Sequence, residues 1–313
     1  MFKEMFSLLS KKGKKDLILS SIFFTLYGIS SILMLIIVFN ILFKINAGKG
    51  VENLYSDFIY LVVLVLLKGI FNVVADFEKH NAGFDIVQQI RERMIVKLKL
   101  FSLGFYTNER LGEINTILHK DVDNMSMVVG HMWARMFGDF GVALVVFIGL
   151  LFFNVKLAII MAIGVPLALL FLFVSTKKSK NIENKNNSAL VDMVSLFVEY
   201  VRGIAVIKSF SNNKTLNNRL NEKIKTFGET SKLSSKNKAK QLSIFGFLLD
   251  IAYFMLVIYG GVSVILGNLD PFTFIIFAVV SKEFYKPFIA MEMHYMYYIS
   301  GVDSYERLSK ILY

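Results

Sequence analysis

The chain has 313 residues, 55% of them hydrophobic and 19% charged, and this composition excludes an ordinary soluble domain. Its net charge of +11 comes mainly from lysine and arginine beside apolar stretches, a distribution that favours contact with anionic lipid and does not indicate binding of nucleic acid. The sequence contains no cysteine, so disulfide bonds and thiolate metal sites are excluded.

The first predicted element is a basic N-terminal segment followed by a long apolar run. Lys11, Lys12, Lys14 and Lys15 precede Leu17–Phe43, which is too long for the hydrophobic region of a signal peptide and lacks a small-x-small cleavage site. At 1.5 Å per residue this run is about 40 Å long, enough to cross about 30 Å of hydrocarbon. We therefore interpret it as a retained first membrane span, preceded at residues 1–15 by an interfacial elbow helix.

Five further apolar stretches follow, which gives six predicted spans. They are Phe58–Ala75, Phe140–Phe153, Leu157–Ser175, Leu242–Leu266 and Phe272–Met291. With the N-terminus inside, the segments assigned outside carry only the basic residues Lys44, Lys49 and Lys156. Because short cytoplasmic flanks retain positive charge during insertion, this asymmetry predicts that both termini are cytoplasmic. The expected fold is an all-α polytopic membrane protein with a bundle of six long transmembrane helices over about residues 16–311.

Two long polar intervals between the spans show helical periodicity and contain no proline. Apolar residues recur in the first interval at Phe84, Val87, Met94, Leu98 and Phe101, then at Leu111, Ile114, Leu118, Val122 and Met125. The second interval behaves alike at Leu190, Val194, Phe197 and Val201, then at Leu216, Leu220, Ile224 and Phe227. We therefore expect two cytoplasmic helical hairpin extensions, the first continuing spans two and three and the second continuing spans four and five. A single helix over Leu54–Leu103 would be about 75 Å long, so such hairpins would act as levers that an external protein moves.

The turns of these hairpins carry short motifs. Phe105–Ile114, followed by Lys120-Asp121-Val122, is similar to the first intracellular loop of the transmembrane domain of ABC transporters of the exporter fold, and Val201–Phe210 resembles the second. Ser304–Leu308 resembles the run that joins the last span to the nucleotide-binding domain in that family. Lys120 departs from the family, which often has asparagine at that position. The resemblance covers residues 1–313 as one transmembrane domain.

The resemblance implies a half-transporter whose nucleotide-binding domain is absent from this chain. The sequence has no G-x-x-x-x-G-K-[ST] motif, so it lacks the backbone cradle and the lysine with which a P-loop holds phosphates, and no catalytic residue is assigned. ATP and Mg²⁺ are expected on the missing domain, which is either removed by truncation, the favoured explanation, or encoded separately. Two transmembrane halves are expected to pair as a homodimer or a heterodimer.

By the same resemblance, short coupling helices at the lever tips dock into the nucleotide-binding domains. We expect the first at Tyr106–Leu111 and the second at Gly203–Phe210. The residues expected to contact those domains are Tyr106, Asn108, Glu109, Arg110, Lys208 and Phe210.

Polar, ionisable and aromatic residues at membrane depth are the candidates for a substrate cavity. A charged carboxylate near the bilayer centre costs about 2.5–3.5 kcal/mol, so Asp250 is expected to have a partner, a wet cavity or a function. The other candidates are Glu283, Phe284, Phe288, Met291, Glu292, His294 and Tyr295. Three interpretations stay open for this region: packing between helices with a Glu283–Lys286 pair, an adaptable aromatic and methionine-lined cavity, or a metal site at Met291, Met293 and His294. We assign no metal, because successive helical positions face different ways.

These features favour the permease half of an ATP-driven transporter in a bacterial inner membrane, exporting an amphipathic small molecule, lipid or peptide. An exporter-fold importer of a siderophore or another metal chelate is an alternative. An ATP-independent carrier or channel is an alternative of another class, in which the cytoplasmic hairpins would be incidental.

Overall fold

The computed structural model describes residues 2–48, 50–204 and 214–312, which form helices and short connections without any strand in those ranges. The helices are α1 Phe2–Leu8, α2 Lys11–Asn46, α3 Tyr55–Leu98, α4 Asn108–Thr116, α5 Val122–Ser126, α6 Ala134–Phe153, α7 Val155–Arg202, α8 Lys214–Ile265, α9 Pro271–Ile289 and α10 Met291–Leu312. Two π-helical turns, Ile117–Asp121 and Met127–Trp133, connect α4, α5 and α6 into one continuous rod. Short 3₁₀ turns lie at Val51–Leu54 and Leu103–Phe105.

Five of the described helical rods are long and apolar enough to cross a membrane. They are Lys11–Asn46, Glu52–Leu98, Arg110–Phe153, Val155–Arg202 and Leu216–Ile265. Lipid supplies no hydrogen-bond partners, so uninterrupted helices of this kind are the expected way for the backbone to cross it. The chain is therefore an all-helical, multi-pass membrane protein, as the sequence predicts. The sixth predicted span corresponds to α9, which carries Lys282, Glu283 and Lys286 and is not among these five.

Helix ends lie at or near the segments assigned outside, which are Lys44–Asp57, Asn154–Lys156 and Gly267–Asp270. Asn154 alone separates α6 from α7, and its side chain accepts a hydrogen bond from the backbone N–H of Leu157 at 3.1 Å. Asp270 caps α9 by accepting from the N–H of Thr273 at 2.9 Å, and Pro271 occupies the first turn, where no N–H is needed. Gly267 has a φ of +73°, a left-handed conformation that a residue without Cβ adopts without strain.

One compact unit comprises residues 1–159 and 256–313. In it α2 packs antiparallel to α3 and also against α6, and α9 packs against α6. Near the outer connection, the buried Asp57 is paired with Lys44 at 2.5 Å and accepts a hydrogen bond from Asn40 at 3.2 Å. At the opposite end of α2, Asp85 accepts hydrogen bonds from the backbone N–H and the hydroxyl of Ser10. Polar contacts at both ends therefore fix α2 against α3.

Most of the hydrophobic core of this unit lies beyond the apolar stretches, although it includes Leu17, Phe24 and Ala75 from them. It brings together α1, the start of α2, the second half of α3, the π-helical turns and the C-terminal part of α10. Its fully buried members include Leu8, Ile90, Met94, Val122 and Leu308. The extension of α3, the α4–α6 rod, α1 and α10 thus form a helical bundle with a buried hydrophobic core.

The other compact unit comprises residues 160–255, the greater parts of α7 and α8. These two helices run antiparallel, because Asp192 pairs with Lys223 at one end while Ser175 accepts from Gln241 at the other. Inside the apolar section, Gly164 allows close approach, since a Cβ there would lie 2.0 Å from the Cβ of Ala252. Both helices continue unbroken well past their apolar sections.

Two facing glycines set the crossing of α3 with the second π-helical turn. A Cβ on Gly130 would lie 2.8 Å from the backbone carbonyl oxygen of Lys79 and 3.4 Å from the Cα of Gly83. The obstacle is backbone, so the two helices would have to move apart to make room. Gly69, which is also in α3, has nothing within 4 Å of its Cβ position.

We predict that Gly130→Ala lowers the thermal stability of the chain in detergent or nanodiscs, because overpacking of this kind costs about 1–3 kcal/mol. Gly69→Ala is the matched control, and it should be neutral or stabilising by up to about 1 kcal/mol because alanine is the better helix former. Melting temperatures of both variants, measured by circular dichroism, check the prediction. Equal melting temperatures for the two variants would contradict the close crossing.

Candidate coupling and transport sites

The tip of the first hairpin is built by a short irregular segment between α3 and α4. After Leu98 the chain makes the 3₁₀ turn Leu103–Phe105, and the hydroxyl of Tyr106 donates a hydrogen bond back to the carbonyl oxygen of Leu98. Thr107 then caps α4, with its hydroxyl accepting from the N–H of Arg110 at 3.3 Å. Side-chain contacts therefore define the shape of this tip, which contains the predicted coupling element Tyr106–Leu111.

The surface of the tip combines exposed apolar and charged groups. Leu103 is 92% exposed, and Leu100 and Leu111 are exposed as well. Arg110 is paired with Glu113 at 2.9 Å, and its guanidinium lies 5.6 Å from the centre of the Phe105 ring. Exposed leucines beside an arginine anchored on an aromatic ring are suited to contact another protein.

The other predicted coupling residues are only partly within the described chain. Asn108 and Glu109 form the first positions of α4, but the positions of their side chains lie outside the description. Lys208 and Phe210 lie outside the described residues.

A buried carboxylate joins the first hairpin to the C-terminal helix. Asp121, on the first π-helical turn, has no exposed surface and accepts from Arg307 of α10 through both oxygens, from Nε at 2.8 Å and from Nη2 at 2.6 Å. The hydroxyl of Ser304 donates to the same carboxylate at 3.0 Å, and Asn124 donates to Ser304 at 3.0 Å. Every member of the cluster therefore comes either from α10 or from residues 117–133, the two π-helical turns with α5 between them, which we call the π-helical region.

This cluster, Asp121 with Arg307, Ser304 and Asn124, is electrostatically balanced. In the predicted topology it lies in the cytoplasm, about five helical turns before Phe140. Burial by itself raises the pKa of Asp121, but the hydrogen bonds from Arg307 and Ser304 and the positive charges of Arg307 and Lys120 outweigh it, so the pKa is lowered from its ordinary value. The same hydrogen bond has the opposite effect on Arg307, because it stabilises the charged guanidinium and so raises the pKa of Arg307.

The sequence singled out both halves of this cluster without joining them. Asp121 belongs to the motif Lys120-Asp121-Val122, and Arg307 belongs to Ser304–Leu308, 186 residues further along. By resemblance the first motif belongs to the first intracellular loop and the second to the run after the last span, and neither motif indicates the other. A buried acidic residue between apolar positions at Ile117 and Val122 is the one local signal that a basic partner is required.

The second hairpin is held by a ladder of polar side chains between α7 and α8. Asp192 pairs with Lys223 at 2.7 Å, and the other rungs join Asn186 to Thr230, Glu183 to Ser234 and Lys238, and Ser179 to Asn237 and Gln241. The stripe Leu190, Val194, Phe197 and Val201, which indicated this helix in the sequence, is exposed instead of facing α8. The helix was predicted, but its contact face is a different one.

The aromatic residues of α9 pack within their own unit. Phe284 is buried, and its ring centre lies 6.1 Å from that of Phe147 in α6, while the rings of Phe288 and Phe140 are 5.5 Å apart. Glu283 pairs with Lys286 one turn away at 3.0 Å. These contacts are those of the packing interpretation, and they leave Phe288 half-buried.

The remaining substrate candidates are dispersed. Asp250 is exposed on α8 between the exposed Phe247 and Phe254, and no hydrogen bond or ion pair joins it to the part of the chain that the structure describes. His294 is only 7% exposed, and neither ring nitrogen has a hydrogen-bond partner among the described residues.

Met291 is half-buried at the start of α10. Glu292 and Tyr295 belong to the same helix, but the positions of their side chains lie outside the description. Within residues 2–48, 50–204 and 214–312, no three His, Cys, Asp or Glu side chains are grouped so that they could hold a metal ion.

The lowered pKa of Asp121 predicts a pH-dependent contribution to stability. A carboxyl whose pKa is depressed by folding stabilises the folded state above its ordinary value of 3.8, and this contribution is lost as the pH falls through the folded value. The melting temperature of the wild type should therefore exceed that of Asp121→Asn at about pH 7, and the difference should shrink at about pH 3. A difference that grows on acidification would contradict the assignment.

Comparison with known proteins agrees with this architecture. The family model of the ABC transporter transmembrane region matches residues 17–288. The chain is 22% identical over 274 residues to an ATP-dependent lipid A-core flippase of Desulfotalea psychrophila, an alignment that covers 87% of the chain and 48% of that protein.

Two further relatives are similar to the same extent. A putative export ATP-binding/permease protein of Rickettsia typhi is 23% identical, with 86% of the chain and 47% of that protein covered. An uncharacterized ABC transporter ATP-binding protein of Bacillus subtilis is 21% identical, with 85% and 46% covered. The chain spans about half the length of the curated relatives that it matches.

Proposed function

Because the chain belongs to the ABC transporter transmembrane region family, we propose that it is the membrane-spanning permease half of an ATP-driven exporter. The observation that carries the proposal is the first hairpin. It continues two membrane-crossing rods and ends in an exposed tip with Leu103 and Arg110 at its surface. A tip of this kind is suited to receive force from a separate domain. In this proposal nucleotide-binding domains outside the chain bind ATP with Mg²⁺, and their closure moves the hairpin.

The proposed topology has six spans, with α9 as the sixth and both termini in the cytoplasm of a bacterial cell. The near absence of lysine and arginine from the outer connections supports this orientation. The three charged residues of α9 fall in its second half, toward the cytoplasmic side in this arrangement. Helix α1 would be the interfacial elbow, its apolar side chains being buried against α3 and α10.

A second transmembrane half is the proposed partner of residues 160–255. The stripe Leu190, Val194, Phe197 and Val201 is exposed on α7 beyond its apolar section, where lipid would not cover it. A contiguous stripe of exposed apolar side chains in water marks an interaction surface. A homodimer or a heterodimer of permease halves would cover the stripe and enclose a cavity that opens alternately to the two sides.

The proposed substrate is an amphipathic small molecule, lipid or peptide. The names of relatives support this class, since one is called a lipid A-core flippase and another an export protein. In this chain Asp250 between Phe247 and Phe254 combines a carboxylate with aromatic surface at membrane depth, as recognition of an amphipathic molecule requires. Met291 and His294 are the corresponding candidates at the start of α10.

A vesicle assay tests the direction of transport. The transporter, reconstituted with its nucleotide-binding domains, should move a fluorescent lipid or an amphipathic dye away from the side on which ATP is supplied. Movement toward that side would indicate an importer, and movement that does not depend on ATP would indicate a carrier or channel.

Reversing charge at the tip should uncouple ATP hydrolysis from transport. We predict that Glu109→Lys with Arg110→Glu lowers the amount of substrate moved per ATP hydrolysed by roughly tenfold, because the tip would no longer match its docking surface. Lys236→Glu, an exposed charge reversal in the middle of α8, is the control and should change neither transport nor ATP hydrolysis. Unchanged transport in the tip variant would favour the ATP-independent carrier and would contradict the proposal.

A further inference from the structure

The geometry of α10 points to a second part of the coupling machinery. This helix follows α9 after a break at Ala290, three residues beyond Pro287. Proline has no backbone N–H, and its ring clashes with the preceding turn of a regular helix. α10 then runs antiparallel to the π-helical region, with Gly301 against Val128, Ser304 against Asn124 and Arg307 against Asp121. The contacts on α10 therefore follow one another in register along one face.

We propose that Asp121 and Arg307 form a lock that fixes α10 to the first hairpin, so that the hairpin tip and the C-terminal end of α10 move as one body. The inference rests on the proposed function. It adds that the C-terminal end of α10 is carried along with the tip that receives force, because the lock keeps the two at a fixed distance. Asp121 and Arg307 are positioning residues in this mechanism, since neither contacts the substrate.

The chemistry of the lock is better suited to fixing the position of α10 along the hairpin than to stabilising the fold. Apolar residues of similar size at a buried ion pair are often as stabilising, or more so, because the pair must first be desolvated. An apolar contact tolerates small sliding, however, whereas the two-pronged bond of Arg307 to Asp121 has a single geometry. A slip of α10 by one turn would leave the buried Asp121 without its cation.

The π-helical turn at Ile117–Asp121 adds a local reason for this assignment. Such turns insert an extra residue into a helix, occur frequently at functional sites and change the direction of the side chains around them. Here the turn ends at Asp121 itself. The turn and the lock therefore belong to the same contact between the hairpin and α10.

Breaking the lock should reduce coupling without abolishing ATP hydrolysis. We expect Asp121→Asn and Arg307→Gln each to lower the substrate moved per ATP hydrolysed by about tenfold in the complete transporter, and the double variant to be no worse than either single one. A purely structural role would reduce the amount of folded protein and so lower transport and hydrolysis together, leaving their ratio unchanged.

The Arg91–Asp123 pair supplies a matched control. It is also an arginine–aspartate contact, at 3.3 Å, but it joins α3 to α5 within the hairpin, and both side chains are exposed. Arg91→Gln and Asp123→Asn should leave the ratio of transport to hydrolysis unchanged. An equal loss in both pairs of variants would overturn the proposal.

A disulfide bond offers a rescue that is specific for the lock. A Cβ on Gly301 would lie 3.6 Å from the Cβ of Val128, within the 3.5–4.5 Å that a disulfide requires, and the chain has no other cysteine. In the Asp121→Asn background, Val128→Cys with Gly301→Cys should restore coupling when oxidised and lose it again on reduction. Failure of the oxidised protein to recover would overturn the lock, whereas absence of ATP-coupled transport in the wild type would instead refute the proposed function.

Discussion

The hydrocarbon of a bilayer offers no hydrogen-bond partner to the peptide backbone, and the rest of this structure depends on that constraint. Each crossing must be an unbroken helix, since every interruption would expose N–H and C=O groups to lipid. Three of these helices, α3, α7 and α8, are longer than one crossing requires. The 44 residues of α3 extend over about 66 Å, roughly twice the hydrocarbon thickness. The hairpin extensions are therefore continuous with the spans themselves, and in the proposed function a displacement at the tip would be transmitted along a hydrogen-bonded rod.

The parts of the fold that follow from local sequence were predictable. Leu17–Phe43 identified α2 through its lack of charge, and the helical spacing around Met94 and Val122 identified the extensions of the first hairpin. Contacts between distant segments were not predictable, because nothing in the run around Arg307 indicates that its partner is Asp121. The α9 aromatics illustrate the same limit, since periodicity placed Phe284 and Phe288 on one face without showing that α6 covers it.

The proposed coupling residues also divide into those that local sequence indicates and those that depend on contacts between distant segments. Thr107 caps a helix that begins at Asn108, within the predicted coupling element Tyr106–Leu111, which a motif can indicate because its residues are consecutive. The π-helical turns carry no comparable signal. They depend on how the rod meets α3 and α10, and the close approach of Gly130 to the backbone of Lys79 belongs to that packing.

The two hairpins differ in chemistry because they differ in the number of helices. Around the first, α1 and α10 join the two rods, so Ile90, Met94 and Leu308 can be withdrawn from water into a common interior. The described residues of the second unit belong to α7 and α8 in that region, and few apolar side chains there are buried, Leu196 and Leu220 among them. Most polar side chains along their contact stay partly hydrated, so hydrogen bonds such as those of Ser179 and Glu183 hold the two helices together without a large desolvation penalty. Polar residues thereby occupy much of the contact face, and the stripe Leu190, Val194, Phe197 and Val201 is left exposed on a face that another molecule could bury.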